Sequence, residues 1–232
     1  MAVILNIDTA METAGVYLAR EGGLVAFNTN NTQNDHASWI HTAIRNLLSD
    51  AGYTMKHLDA IAVSAGPGSY TGLRVGMATA KGLCFALNIP FIAINTLKLL
   101  AGSAREMIDS NQSENEEKDS LLFCPMIDAR RMEVFTAAYD YNLNELEEPR
   151  AMILDPSSFS QTHLRKKKLF FGSGANKWKQ ICSLEHSSFH SVFIEGNSFA
   201  KLSYYSFCKN DFAALAYVEP VYLKEFYTHH KN

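Results

Sequence analysis

Three features of the 232-residue sequence predict a two-lobed α/β protein whose sheets contain parallel neighbours. The first is the stretch from Asp59 to Ala101, where a strand, a glycine-rich turn, a long helix, a second strand and a second helix follow one another almost without charge. Strand, crossover helix, strand is the building unit of a sheet with parallel neighbours. The second is a repeated opening: VILNIDTAMETAGVYLA and LFCPMIDARRMEVFTAA each give a strand, an aspartate at its end (Asp8, Asp128), a short turn and a partner strand. Two related halves account for this most simply. The third is Asp109 to Ser120, which has no apolar residue to bury and is expected to be solvated. It divides the chain into an N-terminal α/β lobe, 1–108, and a C-terminal α/β lobe, 109–232, with 109–120 as a polar linker; a plain surface loop would have the same composition.

In chain order, Val3 to Ile7 is an apolar strand and Ala14 to Ala19 its partner. A helix from about His36 to Ala51 places Ile40, Ile44, Leu47, Leu48 and Ala51 on one face, with Gly52 as its C′ residue. Ile61 and Val63 belong to a β-branched run that stops at the turn Gly66-Pro67-Gly68. Ser69 and Thr71 offer capping oxygens to a helix over Gly72 to Leu87, which Asn88-Ile89-Pro90 ends. Phe91 to Ile94 is the next strand, followed by a helix. The second half opens with strands at Leu121 to Ile127 and Glu133 to Tyr139. After these, Leu169 to Phe171 is a strand, Ala175 to Cys182 and Phe199 to Cys208 are helices, and Pro220 to Leu223 is extended. Its thinner signal predicts a reduced C-terminal lobe.

The composition, 47% hydrophobic and 19% charged, is that of an ordinary globular protein. A formal net charge of −3 makes the whole molecule no electrostatic trap for nucleic acid, though a local basic patch stays open. Cys84, Cys124, Cys182 and Cys208 form no C-x-x-C pair, which points to reduced thiols. The first residues run straight into a strand pattern with no signal-peptide or membrane-span character, so a cytoplasmic protein is expected, with no membrane partner.

Several residues have chemistry to offer. Gly66, Gly68 and Ser69 at a helix start can cradle a phosphate through backbone N–H groups, yet a tight turn and a capped helix need the same residues. Spacing alone favours the turn, because neither G-x-x-x-x-G-K-[ST] nor G-x-G-x-x-G is present. Asp8 with Thr9, and Asp128 with Arg130, can face an interlobe cleft and hold a metal-bound phosphate, or simply cap turns. Gly72, Gly76 and Ala80 recur every four residues. Glycine inside a helix costs about 1 kcal/mol relative to alanine, so close approach of another helix is expected, from the same lobe or from a second chain. In the second case Leu73, Met77 and Phe85 become exposed apolar contacts. The histidines form no metal set: His36 and His41 are five apart, off one helix face, and His229-His230 sit in a polar tail. The basic run Arg165 to Lys168 reads as a solvated strand edge or a docking patch for tRNA or an acidic partner.

Gly66-Pro67-Gly68-Ser69-Tyr70-Thr71-Gly72-Leu73-Arg74-Val75-Gly76, followed by Ala78-Thr79-Ala80-Lys81-Gly82-Leu83, closely resembles the signature of the bacterial TsaB proteins, long labelled glycoprotease-like. Collinear segments agree: Ile7 to Ala10, Asn95-Thr96-Leu97, Ile127 to Phe135, Phe171 to Trp178 and Glu219 to Lys224. Tyr70 stands where phenylalanine is usual, and Ala10 where serine is usual. The resemblance implies the duplicated fold of actin, sugar kinases and heat-shock-chaperone ATPases. It implies a non-catalytic dimerisation or scaffold subunit of the complex that places a threonylcarbamoyl group on the adenosine next to the tRNA anticodon. The implied partners are a TsaD-like catalytic subunit, a TsaE-like ATPase, tRNA through the complex, and a second copy when alone. Pairing would use Trp39, Ala43, Gly72, Leu73, Gly76, Met77 and Ala80. Asp8, Thr9, Gly66, Gly68 and Ser69 remain as nucleotide or phosphate positions, with ATP or ADP binding at a subunit interface or in the interlobe cleft left open. The catalytic paralogues carry H-x-x-x-H where this chain has Thr96 and Leu100, so no metal and no catalytic residue is expected. The competing functions are an independent ATPase or sugar kinase of the same fold, and a glycoprotease-like metallopeptidase.

Overall fold

The computed structural model describes residues 1–32, 36–110, 118–163 and 166–224. Linker positions 111–117, Arg165, His229 and His230 lie outside the described residues.

Val3–Asp8 (β1) is buried along its whole length. Such a strand needs cover on both faces, which suits its four apolar residues, Val3, Ile4, Leu5 and Ile7. It pairs antiparallel with Ala14–Arg20 (β2) and parallel with Ala60–Ser64 (β4). Gly23–Asn30 (β3) and Phe91–Ile94 (β5) complete a sheet of order β3-β2-β1-β4-β5. The second sheet repeats that order from its antiparallel edge. Glu145–Ile153 (β8), Glu133–Tyr139 (β7), Leu121–Asp128 (β6), Lys167–Phe171 (β9) and Ser187–His190 (β10) lie side by side, so β6 is the counterpart of β1. The duplication extends to backbone detail: the turns after β4 and β9 each hold a positive-φ glycine, Gly66 at 105° and Gly172 at 92°. Two lobes of one topology are the duplicated architecture of actin and the sugar kinases.

His36–Asp50 (α1) and Tyr70–Leu87 (α2) cover one face of the first sheet, where Ile40, Ile44, Leu47 and Met77 meet Leu5, Ile7, Val16 and Val63. Ser69 caps α2 by accepting from the Gly72 N–H at 3.3 Å, and Asn88 closes it in the left-handed conformation. The crossover that matches α2 in the second half, Ala175–Lys179 (α4), has 5 residues against 18, which is where the second lobe is reduced.

Between the sheets the halves exchange helices. Thr96–Ser110 (α3) leaves the first sheet and packs on β6 and β7 of the second, through Leu97, Leu100 and Ala104. Gly196–Cys208 (α5) leaves the second sheet and packs on the first, where Phe199 meets Ile4, Tyr17, Ala62 and Ile92. The two helices cross at Gly102, whose missing Cβ leaves room for Ser198 Oγ. Glu195 N–H donates to Ser103 Oγ at 3.0 Å beside the crossing.

The chain then returns as a strap. Ala213 N–H donates to Phe91 O at 2.9 Å, and Ala213, Leu215 and Val218 pack against the first core. Val221 N–H donates to Ala65 O at 2.7 Å, and Lys224 ion-pairs with Glu133 on β7. The expected extended piece at Pro220 to Leu223 is thus a backbone tether and not a ladder strand.

Gly102→Val places branched carbons against Ser198 and should cost about 1–3 kcal/mol through overpacking. Urea unfolding at equilibrium, with an unchanged m-value, measures this.

Candidate functional site

The glycine-rich turn sits where α2 meets the end of β1. Thr9 is fully buried and its Oγ1 donates to Gly72 O at 2.7 Å. A Cβ at Gly72 would collide with Thr9 O, and one at Gly76 with Thr9 Oγ1 while standing 3.4 Å from Val63 Cγ2. The small-residue stripe therefore faces the chain's own sheet. Ala43, Leu73, Met77 and Ala80 are buried with Gly72 and Gly76, and Trp39 is half-buried against the same core. Of the two origins left open for the approaching element, the internal one is realised, and it is a strand end in place of a helix. The glycines, Leu73 and Met77 thus face inward in the folded monomer.

The outer side of α2 is different. Phe85 is 82% exposed. A Cβ at Gly82 would meet nothing within 4 Å, and Ala78 and Ala86 flank it at exposed positions. Gly82 carries the helix cost of glycine, about 1 kcal/mol, with no contact inside the monomer that uses the space.

Three of the turn's N–H groups have partners within the chain. Gly66 N–H donates to Thr96 Oγ1 at 3.0 Å, Ser69 N–H to Ala10 O at 2.8 Å, and Gly72 N–H to Ser69 Oγ. Gly66 needs its left-handed φ, and a Cβ there would stand 2.7 Å from Val221 O of the strap. A Cβ at Gly68 would strike Ala10 O. These contacts knit β1, α2, α3 and the strap together.

Asp8 and Asp128 end equivalent strands in unlike surroundings. Asp8 is 2% exposed and accepts from Ser64 Oγ at 2.6 Å and Ala10 N–H at 3.0 Å. Burial pushes its carboxyl above the usual range, against the pull of those hydrogen bonds and of His36. Asp128 is exposed, accepts from Arg130 N–H at 2.6 Å, and pairs with Lys177 at 2.7 Å. The two carboxylates thus do not line one open cleft. Where the resemblance puts the catalytic paralogues' histidines, the Thr96 hydroxyl serves Gly66 and Leu100 is buried among Leu97, Phe123 and Phe171. Those residues do not fit a metal ion. Among the described residues, no group of three or more His, Cys, Asp or Glu side chains is placed to hold one.

The basic run also departs from expectation. Lys167 and Lys168 lie in β9, paired on both sides by β6 and β10, and Lys168 is buried. Sequence reading missed Tyr70, Arg74 and Tyr222, which meet at the turn: the Arg74 guanidinium lies 4.0 Å from the Tyr70 ring centroid, and its Nε donates to Tyr222 OH at 3.1 Å. Their separation along the chain hid this, although Tyr70 and Tyr222 both fall in the segments singled out as motifs.

Two sheets of one topology, a capped α2 and a sealed strand-end aspartate define the class: a two-lobed actin-like protein. The family model of TsaD, tRNA N6-adenosine threonylcarbamoyltransferase, matches residues 16–156. The chain belongs to this family, and TsaB proteins are among its relatives. The TsaB protein of Escherichia coli (strain K12), named for tRNA threonylcarbamoyladenosine biosynthesis, is 26% identical over 229 residues, 95% of this chain and 94% of the relative. That of Bacillus subtilis (strain 168) is 36% identical over 145 residues, 62% of this chain, and the match spans only 58% of the relative's length. An uncharacterized protein with similarity to the peptidase YeaZ, from Pseudomonas aeruginosa, shares the fold: TM-score 0.80 at 23% identity, over 97% of this chain and 100% of that one.

Two outcomes test this geometry. Gly76→Arg forces a charge into the Thr9 contact and should unfold the monomer, a loss above about 4 kcal/mol, visible as lost circular dichroism. Asp8→Asn mimics the neutral carboxyl. The folded pKa of Asp8 lies above the ordinary 3.8 of an aspartate, so below that pH the carboxyl is protonated in both states and its burial costs no ionisation. The cost grows as pH rises to the folded value and is constant beyond it. Asp8→Asn should therefore stabilise the protein at neutral pH, and the advantage should vanish in acid, as followed by urea midpoints across pH.

Proposed function

We propose that this chain is a non-catalytic scaffold subunit that pairs with a TsaD-like catalytic subunit in tRNA threonylcarbamoyl transfer. The observation that carries it is the outer side of α2: Gly82 opens onto empty space between Ala78 and Ala86, beside the exposed ring of Phe85. Small side chains let a partner helix approach closely, and burying Phe85 there is worth about 2 kcal/mol. The names of the Escherichia coli and Bacillus subtilis relatives support the tRNA-modifying context. Thr96 and Leu100, in place of two imidazoles, support a supporting role over a catalytic one.

The same α2 surface would hold two copies together when the partner is absent. A TsaE-like ATPase and tRNA would join through the complex, in the cytoplasm; among the described residues no helix is long and apolar enough to cross a membrane. The lack of either standard nucleotide loop in the sequence argues against an independent ATPase or kinase, and the filled Thr96 and Leu100 positions against a metallopeptidase.

Gly82→Arg should leave the monomer folded and weaken pairing at least about 100-fold, the equivalent of about 2.7 kcal/mol, as read by size exclusion with light scattering. Reconstitution tests the role itself. Threonylcarbamoyl transfer to tRNA by the cognate TsaD-like and TsaE-like proteins, with a donor-forming enzyme, should require this chain, and the chain alone should be inactive. Full modification without it rejects the proposal.

A further inference from the structure

The β6–β7 turn projects two exposed arginines, Arg130 and Arg131, both in the left-handed region at φ 67° and 48°. Glycine or asparagine enters that region more easily, so the turn's own folding gains nothing from arginine. Lys177 reaches in beneath the turn, to Asp128 Oδ1 at 2.7 Å and Glu133 O at 3.4 Å. Lys224 arrives from the strap to ion-pair with Glu133. Two residues earlier on the strap, Tyr222 is 38% exposed and its ring lies 5.5 Å from that of Tyr70, itself 37% exposed, with Arg74 over the Tyr70 face. The strap thus joins the two lobes into one surface. Arg74, Lys224, Lys177, Arg130 and Arg131 bring five cations there against Asp128 and Glu133, which hold the lysines, and Glu219 of the strap, on a chain of net charge −3.

We propose that this surface, formed by the β6–β7 turn, the strap and the start of α2, docks the phosphate backbone of RNA. It rests on the tRNA-modification role above, which makes tRNA the RNA to use. Cations clustered apart from the chain's overall negative charge give the electrostatic footprint of nucleic-acid binding. Exposed tyrosine rings beside a guanidinium supply stacking planes for an unpaired base. The lysines are held in place by Asp128 and Glu133, while Arg130 and Arg131 stand farthest out and meet phosphate first. Contact is sequence-independent and weakens with salt.

Fluorescence anisotropy of labelled tRNA with the complex of this chain and its TsaD-like partner tests the surface. Arg130→Glu with Arg131→Glu should weaken tRNA binding at least about 10-fold at low salt, and make the slope of log affinity against log salt shallower by about 1.4–1.8, the equivalent of two phosphate contacts. Arg130→Gln with Arg131→Gln, which adds no repulsion, should give the same slope change with a smaller loss. Lys166→Glu with Lys167→Glu should change neither quantity. Unchanged affinity and slope in a complex that still elutes intact would overturn the proposal. So would loss of the complex itself on arginine reversal, which would make the turn a protein contact. If the unaltered chain forms no complex, the scaffold role fails, and the same titration on the chain alone decides whether the arginines bind RNA.

Discussion

Helix α2 touches the end of β1 almost backbone to backbone, and most of the molecule's functional geometry follows from that contact. Thr9 Oγ1 reaches Gly72 O because nothing but hydrogen stands on Gly72 and Gly76. With the helix drawn in so closely, the turn before it folds onto Ala10, Ser69 caps inward, and the Gly66 N–H is spent on Thr96. The same contact fixes which side of α2 faces water. Leu73, Met77 and Ala80 go in; Ala78, Gly82 and Phe85 are left out. Closure of the turn and availability of the outer helix face are thus one structural fact seen from two sides.

The exchange of α3 and α5 ties the lobes in a way that a flexible hinge would not. Each half's last helix completes the other half's core, and the crossing is tight enough to need Gly102. The strap adds a second bridge, from Ala65 to Glu133. In a two-lobed enzyme that opens and shuts on nucleotide, such bridges would resist the motion. In a subunit that presents surfaces, they keep the α2 face and the β6–β7 turn in fixed relation.

Much of this was legible in the sequence, for identifiable reasons. β1, β4 and β6 are continuous apolar runs, and α2 has a capping serine before it and Asn88 after it, so local chemistry named them. β3, β8 and β10 were not recognised. β3 alternates exposed and half-buried positions, and β8 carries three glutamates and Pro149, which an edge strand tolerates and a central one does not. Lys167 and Lys168 misled in the opposite sense, since a basic pair inside a sheet looks like an edge. The glycine stripe shows the deeper limit. Four-residue spacing says that something approaches closely, and the identity of the visitor is settled only by where Thr9 lies in space. Gly82, six residues beyond Gly76, falls off the stripe's register, and its lack of any neighbour has no trace in the letters around it.

The helix exchange also has a consequence for how the chain is made. The first sheet is complete once Ile94 has been synthesised, but the cover for one of its faces, α5, begins only at Gly196. Until then Ile4, Ala62 and Ile92 lack the cover of Phe199, with Leu99 of α3 beside them. Emerging from the ribosome, the N-terminal half carries a sticky, half-built surface for about a hundred further residues, roughly 5–20 s at ordinary elongation speed. The first sheet is closed by a segment made long after it, so a message truncated before α5 yields an aggregation-prone fragment in place of a smaller folded domain.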